Sequence, residues 1–175
     1  MPEKPIDPLN RTLKAVIFDW GDTLMRDLPG HSGPMCDWSV IELLPGAVEA
    51  LRRLTGSYTL CVASNALDSD AERMGRALRR GEIRRFFDHL WTSHELGFRK
   101  PDPRFFGEAA RRLGLKPASC MAVGNDPIKD IAPAAAAGMR TVWLREETGH
   151  RPIRADWEIR GLIELPETIA GIDIG

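Results

Sequence analysis

Short runs that are apolar at nearly every residue alternate along the chain with longer stretches whose apolar residues recur at helical spacing. Five runs read as strands: Lys14–Phe18, Tyr58–Ala63, His89–Thr92, Cys120–Val123 and Thr141–Leu144. All but the weak His89–Thr92 are almost free of polar residues, as strands are when helices cover both faces of their sheet. Between them the 3.6-residue period predicts helices over Gly46–Leu54, Ser69–Arg80, Pro103–Leu113 and Ile128–Ala137. Pro45 opens the first, Ser69 or Asp68 caps the second, and Gly114 and Gly138 close the third and fourth. The stretch Asp156–Ile172 reads as a short strand or turn followed by a helix from about Pro166. This alternation specifies an α/β fold around a parallel sheet.

Length and composition bound the reading further. With 175 residues, 43% hydrophobic, the chain can bury one proper core but has no room for a second full domain. One domain is therefore expected over residues 1–175, with 25–44 as a loop insert. No apolar run approaches the roughly 20 residues that cross a bilayer, and the opening MPEKPIDPLNR has no hydrophobic signal core. The expected location is the cytoplasm, with no membrane partner. Cys36, Cys61 and Cys120 are odd in number and lack metal-ligand spacing, so they read as reduced, the latter two as core filler. Arg73, Arg76, Arg79, Arg80, Arg84 and Arg85 crowd one segment, but a formal charge of −1 gives no general attraction to nucleic acid, and the cluster reads as a solvated helix face.

Polar residues gather where the strands end. Asp19 follows the first, Ser64 and Asn65 end the second, and Gly124, Asn125 and Asp126 follow the fourth, while Lys100 lies on the loop that enters the helix at Pro103. Ligands of open α/β sheets bind at these carboxyl ends, beside the switch in strand order. The segments FDWGDTL (Phe18–Leu24), VASN (Val62–Asn65), GFRKPDPRFF (Gly97–Phe106) and VGNDPIKDIAPAAAAGM (Val123–Met139) resemble, in order and spacing, the four motifs of the haloacid dehalogenase (HAD) superfamily of hydrolases. The resemblance extends from about Lys14 to Leu144.

That resemblance implies a three-layer α/β/α Rossmann-like fold, strand order 5-4-1-2-3, with a minimal cap. It implies a Mg2+-dependent phosphatase acting on a small-molecule phosphate ester, with Asp19 as a nucleophile that is regenerated by hydrolysis. Ser64 would hydrogen-bond a phosphoryl oxygen, and Lys100 would neutralise both the nucleophile and the transferring group. Asn65 and Thr23 would support substrate binding, Thr23 also tying its turn together. The ion would take the Asp19 carboxylate, the Gly21 carbonyl and the side chain of Asn125, with Asp130 one helical turn on orienting water or Lys100.

Two departures from the family pattern matter. Position 125 is Asn where the family most often has Asp, so it can bind the ion but adds no charge; Asp126 could compensate or could cap the next helix. Position 21 is glycine where the phosphatases carry the aspartate that protonates the leaving oxygen and then activates water. General acid–base help is worth about 10²- to 10⁴-fold. Asp22, one residue on, could reach inward or could simply bond backbone. Both departures also occur in the family's metal-independent carbon–halogen hydrolases, but those carry a helical cap between the first two motifs, for which Met25–Leu44 is too short. A degenerate binding scaffold is the third reading. The insert is rich in Gly and Pro, includes His31, Met35, Cys36 and Trp38, and reads as a flap over the cleft, with His31 solvated and Trp38 anchoring the loop. Trp20 alternates away from Asp19 and reads as packed under the sheet. A cleft this open suits a large substrate, or a partner subunit in a homo-oligomer that supplies the lid.

Overall fold

The computed structural model describes residues 12–66, 68–145 and 153–173; the polar opening up to Arg11 lies outside them. Six strands form one parallel sheet: β1 (Ala15–Phe18), β2 (Thr59–Ser64), β3 (His89–Thr92), β4 (Cys120–Gly124), β5 (Arg140–Leu144) and β6 (Trp157–Ile159), in the order β3-β2-β1-β4-β5-β6. This is the expected order with one strand added, since the segment left as strand or turn pairs parallel with β5. The order switches direction between β1 and β4, and Phe18 is level with Val62 on one side and Val123 on the other. The three central strands therefore end side by side.

Alternation along these strands builds two cores. Val16 and Phe18 of β1 join Leu60, Val62, Met121, Val123 and Val142 on one face, under α1 (Ala47–Leu54), α2 (Ala71–Arg80) and α6 (Leu165–Asp173). Ala15 and Ile17 join Cys61, Ala63, Cys120 and Ala122 on the other, under the short α3 (Ser93–Leu96), α4 (Arg104–Leu113) and α5 (Ala132–Ala136). Both faces are covered, which is why β1, β2 and β4 show no polar alternation. Cys61 and Cys120 are fully buried; burial pushes the Cys120 thiol up to about 11 and Cys61 higher still, so both act as small apolar residues. Among the described residues no helix is long and apolar enough to cross a membrane.

Several element boundaries differ from expectation for local reasons. Asp70, rather than Asp68 or Ser69, caps α2, accepting the Arg73 N–H at 2.8 Å. Pro45 does not open α1; Gly46 does, at φ +82°, where a side chain would put Cβ 2.8 Å from the Ile163 nitrogen. The fourth predicted helix begins as a π-turn, Pro127–Ile131, and only then continues as α5. Pro133 has no N–H to donate one turn back, and the Ala132 N–H bonds to Pro127 O, five residues back.

The insert is closed at its base by a short antiparallel ladder, with Arg26 N–H on Glu42 O at 2.8 Å and Leu44 N–H on Leu24 O at 3.0 Å. Its tip is fastened to α2. The Arg80 guanidinium donates to the carbonyls of Cys36 (2.8 Å), Trp38 and Ser39, and Arg76 reaches Cys36 Sγ at 3.3 Å. Two arginines of the supposed solvated face thus hold the insert as a wall. Trp38 is buried, its indole N–H on the carbonyls of Ser32 and Gly33, and His31 is exposed as expected, with one side of its ring against Trp38 at 5.1 Å.

Gly46→Ala combines a left-handed backbone with a contact against main chain. It should lower unfolding free energy by about 1–3 kcal/mol, measured by urea denaturation, with the native circular dichroism spectrum retained.

Candidate active site

The site is assembled from the ends of β1, β2 and β4 and from the loop before α4. Asp19 extends β1, its N–H still on Val123 O at 2.9 Å. Its Oδ1 accepts from Lys100 Nζ at 2.6 Å and its Oδ2 from the Thr23 hydroxyl at 3.2 Å. Lys100 Nζ also donates to Asp130 Oδ1 at 2.8 Å, and the lysine side chain is only 2% exposed. Burial alone would lower the Lys100 pKa, but the Asp19 and Asp130 carboxylates outweigh it and hold the ammonium above its ordinary value. Asp130 moves the opposite way to a paired carboxylate. Burial and the charge of Asp19 push it up to about 6 against the pull of Lys100.

Three features place these groups. The π-turn puts Asp130 beneath the end of β4, where its Oδ2 also accepts the Asp126 N–H at 3.0 Å. Gly124 lets it approach, since a Cβ there would lie 2.4 Å from the Asp130 Cβ. Asn65 clamps the main chain of Lys100, with Nδ2 on its carbonyl at 2.8 Å and Oδ1 accepting its N–H at 2.9 Å. The ammonium is further packed against the Phe105 and Phe106 rings, 5.3 and 5.6 Å from their centroids.

The structure brings Asp19, Gly21, Thr23, Ser64, Lys100, Asn125 and Asp130 together, but it gives several of the candidates different partners from those expected. Asn65 was a substrate-binding candidate; its amide is engaged on Lys100 and makes it a positioning residue. Thr23 is fully buried beneath the turn and bridges Asp19 to Asn125 Oδ1, 3.2 Å away, instead of facing the cleft. Asp126 is the cap of the following turn and not a free ligand: its Oδ1 accepts the Ile128 and Lys129 N–H groups. Its pKa lies below the ordinary value; burial works the other way, but these bonds prevail. Asp130 has both oxygens engaged by Lys100 and the Asp126 N–H, so it serves the lysine and is no direct metal donor. Asp22 sits at φ +54° and accepts the Asp27 N–H at 3.0 Å, which turns it to backbone duty.

Above these groups lies a cleft of about 280 Å3, lined by Trp20, Gly21, Asp27, His31, Trp38 and Ser64 among others. The Ser64 hydroxyl has no side-chain hydrogen bond among the described residues. Trp20 is 2% exposed, its indole N–H on Met25 Sδ, and only its edge reaches the cleft. Asp27 was not singled out in the sequence; it lies outside every motif, and only the fold of the insert brings it beside Gly21.

Comparison with known proteins agrees with this geometry. A family model described as haloacid dehalogenase-like hydrolase matches residues 33–138, more than half of the chain. The chain is 41% identical over 90 residues to a glyceraldehyde 3-phosphate phosphatase of Methanothermobacter thermautotrophicus, covering 51% of this chain and 38% of that protein. It is 31% identical over 129 residues to a pyrimidine 5'-nucleotidase of Escherichia coli, covering 72% of this chain and 56% of that one. The chain thus spans about half or less of the length of these relatives. Among solved structures it is similar to an uncharacterized protein from Listeria monocytogenes, with TM-score 0.81 and 25% identity, over 93% of this chain and 100% of that one.

Lys100→Met would leave two neighbouring carboxylates without their cation, and removing one partner of a buried pair typically costs about 3–5 kcal/mol. Urea denaturation at neutral pH should show a loss of that size. Asp130 binds its proton more tightly folded than unfolded, so its contribution to stability is complete below about pH 4 and is lost as pH rises through about 6. Asp130→Asn removes that dependence, and the variant's melting temperature should gain on that of the native protein between those two pH values.

Proposed function

The chain belongs to the haloacid dehalogenase-like hydrolases, and on that premise we propose that it is a phosphatase that transfers the phosphoryl group of a small phosphate ester first to Asp19 and then to water. The observation that carries this reading is the Asp19 carboxylate, held two residues before the cleft-lining Gly21 between Lys100 Nζ and the Thr23 hydroxyl. A nucleophile fixed by two donors attacks from one orientation, and the same ammonium meets the charge that moves onto the phosphoryl oxygens. The Ser64 hydroxyl is free to donate to one of those oxygens.

The local donors fit a hard divalent cation. Asp19 Oδ2 and Asn125 Oδ1 share a single hydroxyl proton, from Thr23, which cannot satisfy both. The Gly21 carbonyl accepts no hydrogen bond among the described residues. Two carboxylates against one ammonium leave the site net negative, so a phosphate dianion needs further positive charge to enter. Asp19, Asn125 and the Gly21 carbonyl would hold Mg2+, which supplies that charge. Among the described residues no group of three or more His, Cys, Asp or Glu side chains is disposed to hold a metal, so the ion is held by few anionic ligands and weakly.

The three cysteines are free and buried, which suits a reducing cytoplasmic setting.

The test is hydrolysis of para-nitrophenyl phosphate, with and without Mg2+, by the native protein and by Asp19→Asn. The native chain should turn over only with the ion, and Asp19→Asn should fall to background with the native circular dichroism spectrum retained. Metal-free halide release from a 2-haloacid, without phosphatase activity, would replace this reading with the dehalogenase one; silence in both assays would leave a binding scaffold. Asn125→Asp should tighten Mg2+ at least roughly tenfold by titration calorimetry. The same variant should melt lower than the native protein without the ion, because it crowds a third carboxylate into the site.

A further inference from the structure

An alkyl phosphate does not readily expel its alkoxide unaided: the first half-reaction needs a proton for the departing oxygen and the second a base for water. Glycine at position 21 supplies neither. A Cβ built there would lie 3.9 Å from the Cβ of Asp27 and 3.6 Å from Met35 Cε. Asp27 therefore borders the space that an aspartate at position 21 would fill. Its backbone is fixed on both sides of the turn: its own N–H is on Asp22 Oδ1 at 3.0 Å, Asp22 N–H is on Met25 O at 2.7 Å, and Arg26 N–H is on Glu42 O at 2.8 Å. It lines the same cleft as Gly21 and Ser64, and among the described residues its carboxylate makes no hydrogen bond or ion pair. A carboxylate that lines the cleft beside Gly21, with no partner of its own among the described residues, is open to hydrogen-bond with whatever binds there.

We propose that Asp27 is the general acid and base of this site, reaching in from the base of the insert to do what position 21 cannot. The proposal rests on the phosphatase reading above. As Asp19 attacks phosphorus and the bond from phosphorus to the ester oxygen breaks, the Asp27 carboxyl proton passes to that oxygen, which leaves as an alcohol. The Asp27 carboxylate then takes a proton from water, whose oxygen attacks the phosphorus. The bond to Asp19 breaks, inorganic phosphate leaves, and both carboxyl groups return to their starting states. Asp22 acts through Asp27, as a positioning residue that holds the turn.

His31 and Asp68 are the other proton carriers lining this cleft; the His31 ring lies tilted against Trp38, and of the three only Asp27 borders the space over Gly21. Gly21 itself can accept a side chain: its φ lies outside the left-handed region and the nearest contacts of a Cβ would be ordinary.

The experiment measures kcat with saturating Mg2+ on para-nitrophenyl phosphate and on the most rapidly hydrolysed alkyl phosphate of a metabolite panel. The proteins are the native chain, Asp27→Asn, His31→Gln, Asp68→Asn, and Asp27→Asn combined with Gly21→Asp. Asp27 is exposed, so its amide variant should keep the native melting temperature. Asp27→Asn should lose about 10²- to 10⁴-fold on the alkyl ester and less than about tenfold on the aryl ester, whose leaving group departs without a proton. Adding Gly21→Asp should regain most of the loss, and His31→Gln should leave the alkyl-to-aryl ratio unchanged. Native turnover that Asp27→Asn leaves intact, or reduces equally on both esters, overturns the role of Asp27 alone, as does a leaving-group-dependent loss that follows His31→Gln or Asp68→Asn instead. A native chain silent on both esters overturns the phosphatase reading and the Asp27 role with it.

Discussion

The ammonium of Lys100, buried between the carboxylates of Asp19 and Asp130, is the interaction around which the rest of the site is arranged. A charge that deep is tolerated only when its partners are fixed by bonds of their own. The chain provides for this on every side. Asn65 grips the lysine's backbone, Thr23 the second oxygen of Asp19, and the Asp126 N–H the second oxygen of Asp130. The bare Cα of Gly124 opens the path by which Asp130 comes close, and the wide turn after Asp126 delivers it. Asn65, read from the sequence as a substrate ligand, and Asp126, weighed as ligand or cap, join Asp130, expected to orient the lysine, in the framework that keeps Lys100 charged and in place.

The second constraint comes from the insert. With about twenty residues and no helix longer than a single turn at Met35–Asp37, it cannot fold by itself as a cap. It is ordered by loans from its neighbours: a ladder at its base, the burial of Cys36 and Trp38, and two guanidiniums from α2. The α2 helix therefore covers the sheet with Met74, Ala77 and Leu78 while its other side holds the substrate wall. Core and specificity surface are joined through one ten-residue element.

The legible parts of the sequence were those governed by short-range rules. Uninterrupted apolar runs announced the covered strands, and the polar residues at their ends marked the cleft, because a parallel sheet leaves few other places for them. Asp19, Ser64, Lys100 and Asn125 could be picked out in this way. What was not legible depended on contacts between distant segments. The tasks of Arg76 and Arg80 are set by the thiol and carbonyls of a segment about forty residues earlier, and a basic helix face looks the same in sequence whether it meets water or a loop. Asp126 could be weighed as ligand or cap but not decided until the two N–H groups it accepts were located. The position of Asp27 follows from a turn closed by Asp22, whose positive φ no motif signals.

The fastened insert has a consequence for the fate of the phosphoryl group. Enzymes that pass such a group from one organic molecule to another must keep bulk water away from the loaded carboxylate for the whole exchange, and they do so with a lid that shuts. Here the wall is tied to α2 through Arg76 and Arg80 beside an open cleft. An acyl phosphate formed on Asp19 would stand in contact with solvent at 55 molar from the moment the alcohol departs. On this reading the architecture selects water as the acceptor by concentration alone, and it favours hydrolase over mutase without any residue dedicated to the choice.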